Sequence, residues 1–352
     1  IIIFLVALPS LSYSQYDYYF LKEYFFGRQP SARAEAMGRC YSSIDGDLTT
    51  AFFNPAGIAT IKGLEFNGSY SSPYYLLKKA GYDFVSISYK IDDLLVIGLS
   101  RNHFTFGQEV IFTSGNGIIV NSHTPYETNY CLTVSSQPIK NLFLGLNTNY
   151  FILDPADSKT NTFYFDVGAI KKFEFSEKEN SRHSVNIGAS IMNFNYGKIK
   201  YKVLSNVSKE NLPVIARIGT NYQFNYDNDF LIDSLQTFRF LIQGEYHDVL
   251  NSEYETGFRA GGEIMLLEIL SIRAGYYKET EFDYGFTSYN RDNISAFTYG
   301  FGLQLPLYKL TKTPLNINLD FTSLPQPSYT VIDNNLDNFT TINLRLNWIF
   351  KN

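Results

Sequence analysis

The sequence predicts an all-β fold: a membrane-spanning antiparallel β-barrel of about 14 strands with a short N-terminal helical plug inside the lumen. Three observations predict it. Apolar and polar residues alternate in segments of nine to thirteen residues. The connections between these segments are alternately long and short, and charged residues within the segments keep to the polar side.

The composition excludes several other classes of protein. The chain has 29 Lys and Arg against 34 Asp and Glu, so its net charge of −5 gives no reason to expect a nucleic-acid partner. Aromatic residues make up 17% of the chain, which argues against disorder. Cys40 and Cys131 are too few for a disulfide framework or a thiolate metal site. Past residue 12, no apolar run approaches the roughly 20 residues of a transmembrane helix.

The first element is an apolar run over residues 1–8, followed by Pro9 and Ser12-Tyr13-Ser14. This pattern predicts a signal peptide over residues 1–14, without its charged n-region and cleaved before Gln15. A buried first strand would be the alternative. We therefore expect the mature chain to leave the cytoplasm, and as a barrel to lie in the bacterial outer membrane, in contact with outer-membrane lipid.

Residues 15–62 do not alternate and are predicted to form the plug. A short helix over residues 30–37 opens with Pro and Ser and is closed by Gly38. A second short helix begins at Asp47 as N-cap and ends at Asn54-Pro55, because a residue before Pro avoids the α region. A ring of this size would leak unless something filled it, so we expect this segment inside the lumen.

The barrel is predicted over residues 63–352. In its fifth segment, Leu142, Leu144 and Leu146 share one face while Asn147 and Asn149 share the other, as in a sheet with one apolar side. The predicted strands are 63–71, 80–91, 94–102, 127–137, 140–152, 162–174, 183–193, 212–224, 236–248, 256–266, 269–279, 295–306, 314–322 and 339–350.

Alternation alone would also fit a soluble β-sandwich. The strands are too long for one, because a usual strand has about five or six residues and a tilted membrane strand needs roughly 9–11. The loops after odd-numbered strands hold 8, 24, 9, 18, 7, 15 and 16 residues, and those after even-numbered strands hold 2, 2, 8, 11, 2 and 7. This asymmetry is typical of outer-membrane barrels. The long loops 103–126, 194–211 and 323–338 are predicted to form the external contact surface.

Charged residues predict which face of each strand meets the lumen. An Arg facing lipid at mid-depth would cost about 2–4 kcal/mol, so the charges should point inward. This lumen charge cluster comprises Asp166, Arg217, Arg239, Glu245, Arg259, Glu263, Arg273, Asp320 and Arg345. Phe52, Phe53, Phe143 and Phe151 are possible apolar lining of the lumen.

The last strand carries its own pattern. Ile342, Leu344, Leu346, Trp348 and Phe350 alternate up to an aromatic residue near the C-terminus. This looks like the terminal signal by which barrel-assembly machinery recognises its clients, although a hydrophobic edge strand would give the same letters.

Residues 31–38, 41–47 and 53–59 together resemble the N-terminal pattern of the PorV/PorQ family, which belongs with the FadL-like outer-membrane transporters. That pattern reads as small residues, Ala-Met-Gly, an acidic dipeptide, and aromatic-Asn-Pro-Ala-Gly-Leu-Ala. Arg39-Cys40 and Gly46 depart from it. The matching plug motif consists of Met37, Gly38, Asp45, Asp47, Asn54, Pro55, Ala56 and Gly57.

The resemblance implies a component of the type IX secretion system of Bacteroidota, with secretion-system subunits or exported proteins as partners. The alternative is a FadL-type passive transporter of hydrophobic small molecules, and a third possibility is a barrel with no traffic. We expect no enzyme, cofactor or metal. His247 beside Asp248 could suggest a hydrolytic dyad, but no recognisable motif positions a Ser.

Overall fold

In the computed structural model, the described residues are 31–71, 81–105, 110–113, 119–154, 159–178, 180–194, 199–203, 206–210, 212–227, 235–250, 256–279, 294–324 and 339–350. The predicted signal peptide and residues 15–30 of the predicted plug lie outside them.

Fourteen strands form a closed antiparallel ring in which the last strand pairs with the first. This confirms the predicted fold class. The ring strands are β1 (Leu64–Ser71), β2 (Gly81–Lys90), β3 (Leu95–Thr105), β6 (Tyr126–Ile139), β7 (Leu142–Asp154), β8 (Thr160–Lys178), β9 (Ser181–Phe194), β12 (Ile215–Tyr226), β13 (Phe238–Val249), β14 (Thr256–Leu266), β15 (Leu270–Glu279), β16 (Ile294–Leu305), β17 (Leu315–Leu324) and β18 (Phe339–Trp348).

The outer face of the ring is apolar. Leu144 and Leu146 are 42% and 43% exposed there, while Asn147 and Asn149 on the opposite face are buried. Aromatic side chains stand on the same outer face, among them Phe258 and Phe297. An apolar exterior around a polar interior is the arrangement of outer-membrane barrels, so the predicted location in the outer membrane is confirmed. Among the described residues, no helix is long and apolar enough to cross a membrane.

Two hairpins extend the barrel on the side of the long loops. β4 (Val110–Thr113) pairs with β5 (Ile119–His123), and β10 (Ile199–Val203) pairs with β11 (Asn206–Glu210). The sequence predicted these stretches only as the loops 103–126 and 194–211. Their short strands carry no ten-residue alternation, which is why the pattern missed them. Of the third predicted loop, residues 325–338 lie outside the described residues.

Residues 31–62 form three short helices inside the ring: α1 (Ala32–Ala36) and the 3₁₀ helices η1 (Leu48–Phe52) and η2 (Pro55–Thr60). The sequence predicted the first two, ended the second at Asn54-Pro55 and predicted that Asn54 caps a turn. Asn54 does act as a cap, but the turn continues as a third helix, η2, whose first residue is Pro55, where its missing N–H costs nothing. A further helix, α2 (Leu307–Thr311), follows β16 at the rim of short turns.

The wall has one irregularity that matters for the lumen. Phe165 of β8 pairs with Phe194 of β9, but Val167 pairs with Ile191. Asp166 therefore faces two residues, Met192 and Asn193, across a β-bulge, and Asn193 has a φ of +61°. We call this the β8–β9 bulge.

Candidate functional site

The N-terminal helices pack directly against the inner wall. Ser31 caps α1 by accepting a hydrogen bond from the Ala34 N–H. Past the helix, Gly38 has a φ of +67°, and an added Cβ would lie 2.7 Å from the Tyr276 carbonyl oxygen. Only glycine fits both that backbone conformation and that approach to β15.

Asp47 is the charged centre of the plug. Its carboxylate accepts a hydrogen bond from the Tyr41 hydroxyl at 2.7 Å and forms ion pairs with Arg33 at 3.2 Å and Arg345 of the wall at 2.9 Å. Burial alone would raise the pKa of Asp47, but the guanidinium groups of Arg345 and Arg33 outweigh it and hold the pKa well below its ordinary value. Asp47 therefore stays ionised and ties the plug to β18.

Glu263 of β14 gathers three guanidinium groups. Its carboxylate pairs with Arg33 of α1 at 2.9 Å, and with Arg239 and Arg273 of the wall at 2.6 Å each. Arg273 also reaches Asp320 of β17 at 2.6 Å. Because Arg33 also bonds to Asp47, this network runs continuously from the wall into the plug.

Glu245 of β13 forms a second network. Arg217 approaches its carboxylate at 2.9 Å and Arg259 at 3.6 Å. The same carboxylate accepts hydrogen bonds from the backbone N–H groups of Tyr41 and Ser42 at 3.0 and 2.8 Å. The wall thus holds the plug by its backbone as well as by its charged side chains.

The Asn-Pro-Ala-Gly motif docks on the opposite side of the lumen. The Asn54 side chain caps η2 by accepting from the Ala56 N–H at 3.0 Å, and its amide donates to the carbonyls of Ser42 at 2.7 Å and Ala169 of β8 at 3.0 Å. Pro55 lies so close to β7 that a Cβ on Gly145 would be 2.2 Å from its carbonyl carbon.

The remaining motif residues hold the plug together or contact the wall. The Met37 sulfur accepts from Gln243 at 3.5 Å, and Asp45 accepts from Asn186 at 2.8 Å. The Gly57 carbonyl accepts from the Gly46 N–H at 2.8 Å. All eight motif residues thus lie in one plug, and none lines the cavity described next.

Of the nine predicted lumen charges, Asp166 alone stands outside both networks. Its carboxylate accepts from the amides of Asn147 and Asn149 at 2.8 Å each and from the Asn193 N–H of the β8–β9 bulge at 2.7 Å. Among the described Arg and Lys side chains, none lies within ion-pair distance of it.

Asp166 lines a cavity between η1 and the wall. The cavity, of about 20 Å³, has room for about one water molecule. Met192 near the end of β9 and Ile215 at the start of β12 place it towards the rim of long loops. Its lining is Ala51, Phe52, Phe84, Ser100, Cys131, Asn147, Asn149, Tyr164, Asp166, Met192, Asn193, Ile215 and Arg217.

The four predicted Phe residues all face the lumen side but do not form one surface. Phe52 lines the cavity and meets Phe84 edge-on at 6.2 Å between ring centroids. Phe53 lies in the plug core, with the Arg217 guanidinium 5.5 Å from its ring centroid. Phe143 packs against η2, and Phe151 is buried on β7.

Sequence reasoning missed several buried charged residues. Arg33 lies within the matched range 31–38 but has no predicted role, although it bonds to both Glu263 and Asp47. The others are Glu65 of β1, which accepts a hydrogen bond from the Leu48 N–H at 3.0 Å, and Glu127 of β6. Each lies on the polar, inward face of its strand. The alternation that placed the other charges would have found both.

The considered hydrolytic dyad does not form. His247 is buried on the inner face of β13, whereas Asp248 is the next residue along the strand and points to the outer face. Among the described residues, no group of three or more His, Cys, Asp or Glu side chains is arranged to hold a metal ion.

Comparison with known proteins gives likeness in structure only. No family model matches the chain, and no curated protein matches it. Solved structures do. A FadL homologue from Pseudomonas aeruginosa is 11% identical with a TM-score of 0.45, over 91% of this chain and 98% of that one.

Two toluene transporters are similar in the same way. TodX of Pseudomonas putida is 12% identical with a TM-score of 0.46, over 90% of this chain and 96% of that one. TbuX of Ralstonia pickettii is 9% identical with a TM-score of 0.47, over 91% and 98%. The likeness is one of barrel fold at low identity, and no function follows from it.

Proposed function

We propose that the protein is a non-enzymatic, passive transporter of hydrophobic small molecules across the outer membrane. The observation that carries this proposal is the cavity between η1 and the wall, beside the β8–β9 bulge. Binding sites for such molecules are mostly apolar with a few placed polar groups. Phe52, Phe84, Tyr164, Met192 and Ile215 give this cavity an apolar side.

The cavity is too small for a ligand as it stands. A volume of about 20 Å³ holds a water, so an aromatic or aliphatic molecule needs side chains to move aside. Phe52 is suited to this because it is only partly buried, on a short 3₁₀ helix, and contacts Phe84 by a ring edge. Rotation of Phe52 would enlarge the cavity without breaking an ion pair.

The route out of the cavity runs past the β8–β9 bulge. The plug blocks the direct path to the periplasm because two charged networks tie it to the wall. Next to the cavity, in contrast, the ladder between β8 and β9 is interrupted at Asp166. We propose that the molecule leaves sideways into the membrane at this point.

An uptake assay tests the proposal. The protein would be expressed in a bacterium that lacks its own channels for hydrophobic compounds, and uptake of radiolabelled toluene by intact cells would be measured. The variant Ala51→Trp fills the cavity and should reduce uptake to near the empty-vector level. Ala189→Trp adds the same ring on the lipid-facing side of β9 and should leave uptake unchanged. Equal uptake by all three proteins and the empty vector would contradict transport.

A component of type IX secretion is the second candidate. It is supported by the plug-motif resemblance to PorV/PorQ and by the hairpins β4–β5 and β10–β11, which add surface for a protein partner on the long-loop side. Secretion-system subunits or exported proteins would then be the partners.

Purification from the native membrane separates the two candidates. A co-purified lipid or aromatic hydrocarbon, identified by mass spectrometry, would favour transport. Exported proteins with a shared C-terminal domain, or a very large translocon subunit, would favour secretion and count against the transporter.

A further inference from the structure

Beside the cavity, the inner wall carries a patch in which polar acceptors are set among aromatic rings. Three neighbouring strands, β2, β3 and β6, form it. Between β2 and β3, Tyr82 lies opposite Phe104 and Phe84 lies opposite Asn102. Between β3 and β6, Phe104 lies opposite Glu127 and Asn102 lies opposite Asn129. All six side chains are buried on the inner face of the wall. We call these six residues the acceptor patch: Tyr82, Phe84, Asn102, Phe104, Glu127 and Asn129.

The patch is continuous with the cavity. Ser100 and Cys131, which line the cavity, are the next inward-facing residues along β3 and β6 from Asn102 and Asn129. Asn129 also donates to Asn149 of the cavity wall at 2.9 Å, and Phe84 belongs to both surfaces. A molecule that enlarges the cavity towards the long loops would meet the patch.

Three oxygens of the patch lack a hydrogen-bond donor. They are Oδ1 of Asn102, Oε2 of Glu127 and Oδ1 of Asn129, none of which is bonded in the part of the chain that the structure describes. The two Asn amides, by contrast, donate to the Tyr82 hydroxyl at 2.7 Å and to Asn149. Since buried acceptors without a donor cost free energy, the patch is complementary to a group that donates.

The electrostatic environment of the patch narrows the class of ligand further. Glu127 is 2% exposed, and no described Arg, Lys or His lies within ion-pair distance of it. A carboxylate ligand placed here would be buried without a counter-charge, beside amide oxygens that cannot donate to it. The rings of Tyr82, Phe84 and Phe104 offer contact to an apolar body beside the donor.

We propose that the acceptor patch selects hydrophobic molecules that carry an N–H or O–H donor and rejects carboxylates. The proposal rests on the transport function above and names its substrate class: small aromatic or aliphatic alcohols, phenols and amines, and not fatty acids. Glu127 and the two Asn side chains bind the donor, and the aromatic residues hold the body.

Equilibrium dialysis of the purified protein against four probes of one size tests this. The probes are benzylamine, benzyl alcohol, toluene and benzoate, each corrected for uptake by protein-free detergent micelles. Benzylamine and benzyl alcohol should bind about tenfold more tightly than toluene, the effect of one hydrogen bond to a buried acceptor, and benzoate should bind most weakly. The two donor probes together distinguish an amine from a hydroxyl ligand.

The variant Glu127→Leu should remove the preference for benzylamine over toluene, while benzoate should remain the weakest ligand because the site still offers it no counter-charge. Asn129→Leu gives an independent reading if the first variant fails to fold, which is checked by the mobility of unheated samples on gels. Glu174→Gln, at an exposed residue bonded to Asn141 on the short-turn side, should bind like the original protein.

Toluene binding as tightly as the donor probes, an unchanged preference in both Leu variants, or no binding of any probe would overturn the proposal. The last result would mean that the free oxygens take only water. The outcome also separates the two proposals. A preference for donor probes in dialysis without uptake by cells would support the acceptor patch and contradict transport. Uptake of toluene by cells without a preference for donor probes would support transport and contradict the acceptor patch.

Discussion

The two halves of the lumen are built from different chemistry. Strands β12 to β18 form a charged half, in which Glu245 and Glu263 are surrounded by arginines from wall and plug. Strands β2, β3 and β6 to β9 form an amide half, whose inner face carries mainly Asn, Ser, Thr and aromatic side chains. The acceptor patch belongs to the amide half. The cavity lies mostly there too, and Ile215 and Arg217 of β12 close it on the side of the charged half.

The difference shows how one barrel can both hold a plug and leave room for a ligand. In the charged half Glu263 meets three guanidinium groups and Glu245 meets two, and removing one partner would leave a buried charge. In the amide half the described hydrogen bonds to Asp166 come from neutral donors, and three patch oxygens have no donor in the described part of the chain. The charged half therefore fixes the plug by ion pairs. The amide half holds it by hydrogen bonds and close packing, and keeps unused binding capacity.

The largest effect should come from removing the plug. Deletion of residues 15–62 takes away Arg33 and Asp47 together with the helices that fill the ring. A fourteen-stranded ring without filling is wide enough for water and ions, so single-channel conductance in planar bilayers should rise from near zero to that of an open pore. No rise in a variant that still migrates as a folded barrel would contradict the assignment of residues 15–62 as the plug.

A matched pair of substitutions compares the halves directly. Glu263→Gln replaces the carboxylate that three guanidinium groups share, those of Arg33 and Arg273 being buried, by a neutral amide, and should lower the free energy of unfolding by about 3–5 kcal/mol. Asp166→Asn, which exchanges one acceptor oxygen for a donor among neutral groups, should cost about 1–3 kcal/mol. Urea unfolding in lipid vesicles measures both.

Glu268→Gln is the control for that pair. Glu268 forms a partly exposed ion pair with Lys309 at the short-turn rim, and its loss should cost less than about 1 kcal/mol. If Asp166→Asn proved as damaging as Glu263→Gln, the two halves would not differ in the way described.

The plug's own charge gives a prediction that depends on pH. Asp47→Asn should reduce stability by about 2 kcal/mol at pH 7, because Arg33, Arg345 and the Tyr41 hydroxyl lose an ionised acceptor. Since the pKa of Asp47 is lowered on folding, its contribution is complete above the unfolded value of about 3.9 and is lost as the pH falls towards the folded value.

The gap in stability between the original protein and Asp47→Asn should therefore be constant from about pH 8 to pH 5 and shrink below about pH 4. Urea midpoints measured at these pH values give the result. A gap that closed already near neutral pH would show that Asp47 is not held ionised by its arginines.

The sequence predicted the ring well because a two-residue period leaves each side chain only one of two faces. The period placed Glu263 and Arg273 inward, but it could not show that Arg33, 230 residues away, would join them. The period also could not show that the charged side chains gather in one half of the lumen, because which wall residue meets which plug residue depends on how the plug is oriented inside the ring. The cavity was invisible for the same reason, because its lining combines η1 with strands from β2 to β12.

The smallest expected effect concerns the β8–β9 bulge. The alternation in the sequence did not predict this bulge either, because the bulge lies near the end of β9, where the alternating segment stops. Asn193 has a φ of +61°, where Asn and Gly are tolerated and other residues are strained by about 1–2 kcal/mol. Asn193→Ala should therefore lower stability by about that amount, whereas Asn193→Gly should keep the bulge and lose only the bond to the Pro213 carbonyl.

Because the proposed exit lies at this bulge, the two variants should also differ in toluene uptake. The backbone N–H of Asn193 still reaches Asp166 in the Gly variant, so the interrupted ladder and the exit should persist. In the Ala variant the strand gains by relaxing towards a negative φ, which would turn the residue 193 N–H away from Asp166 and change the shape of the gap, so uptake should fall. Equal uptake in the two variants, with the expected difference in stability, would mean that the bulge shapes the wall but is not the way out.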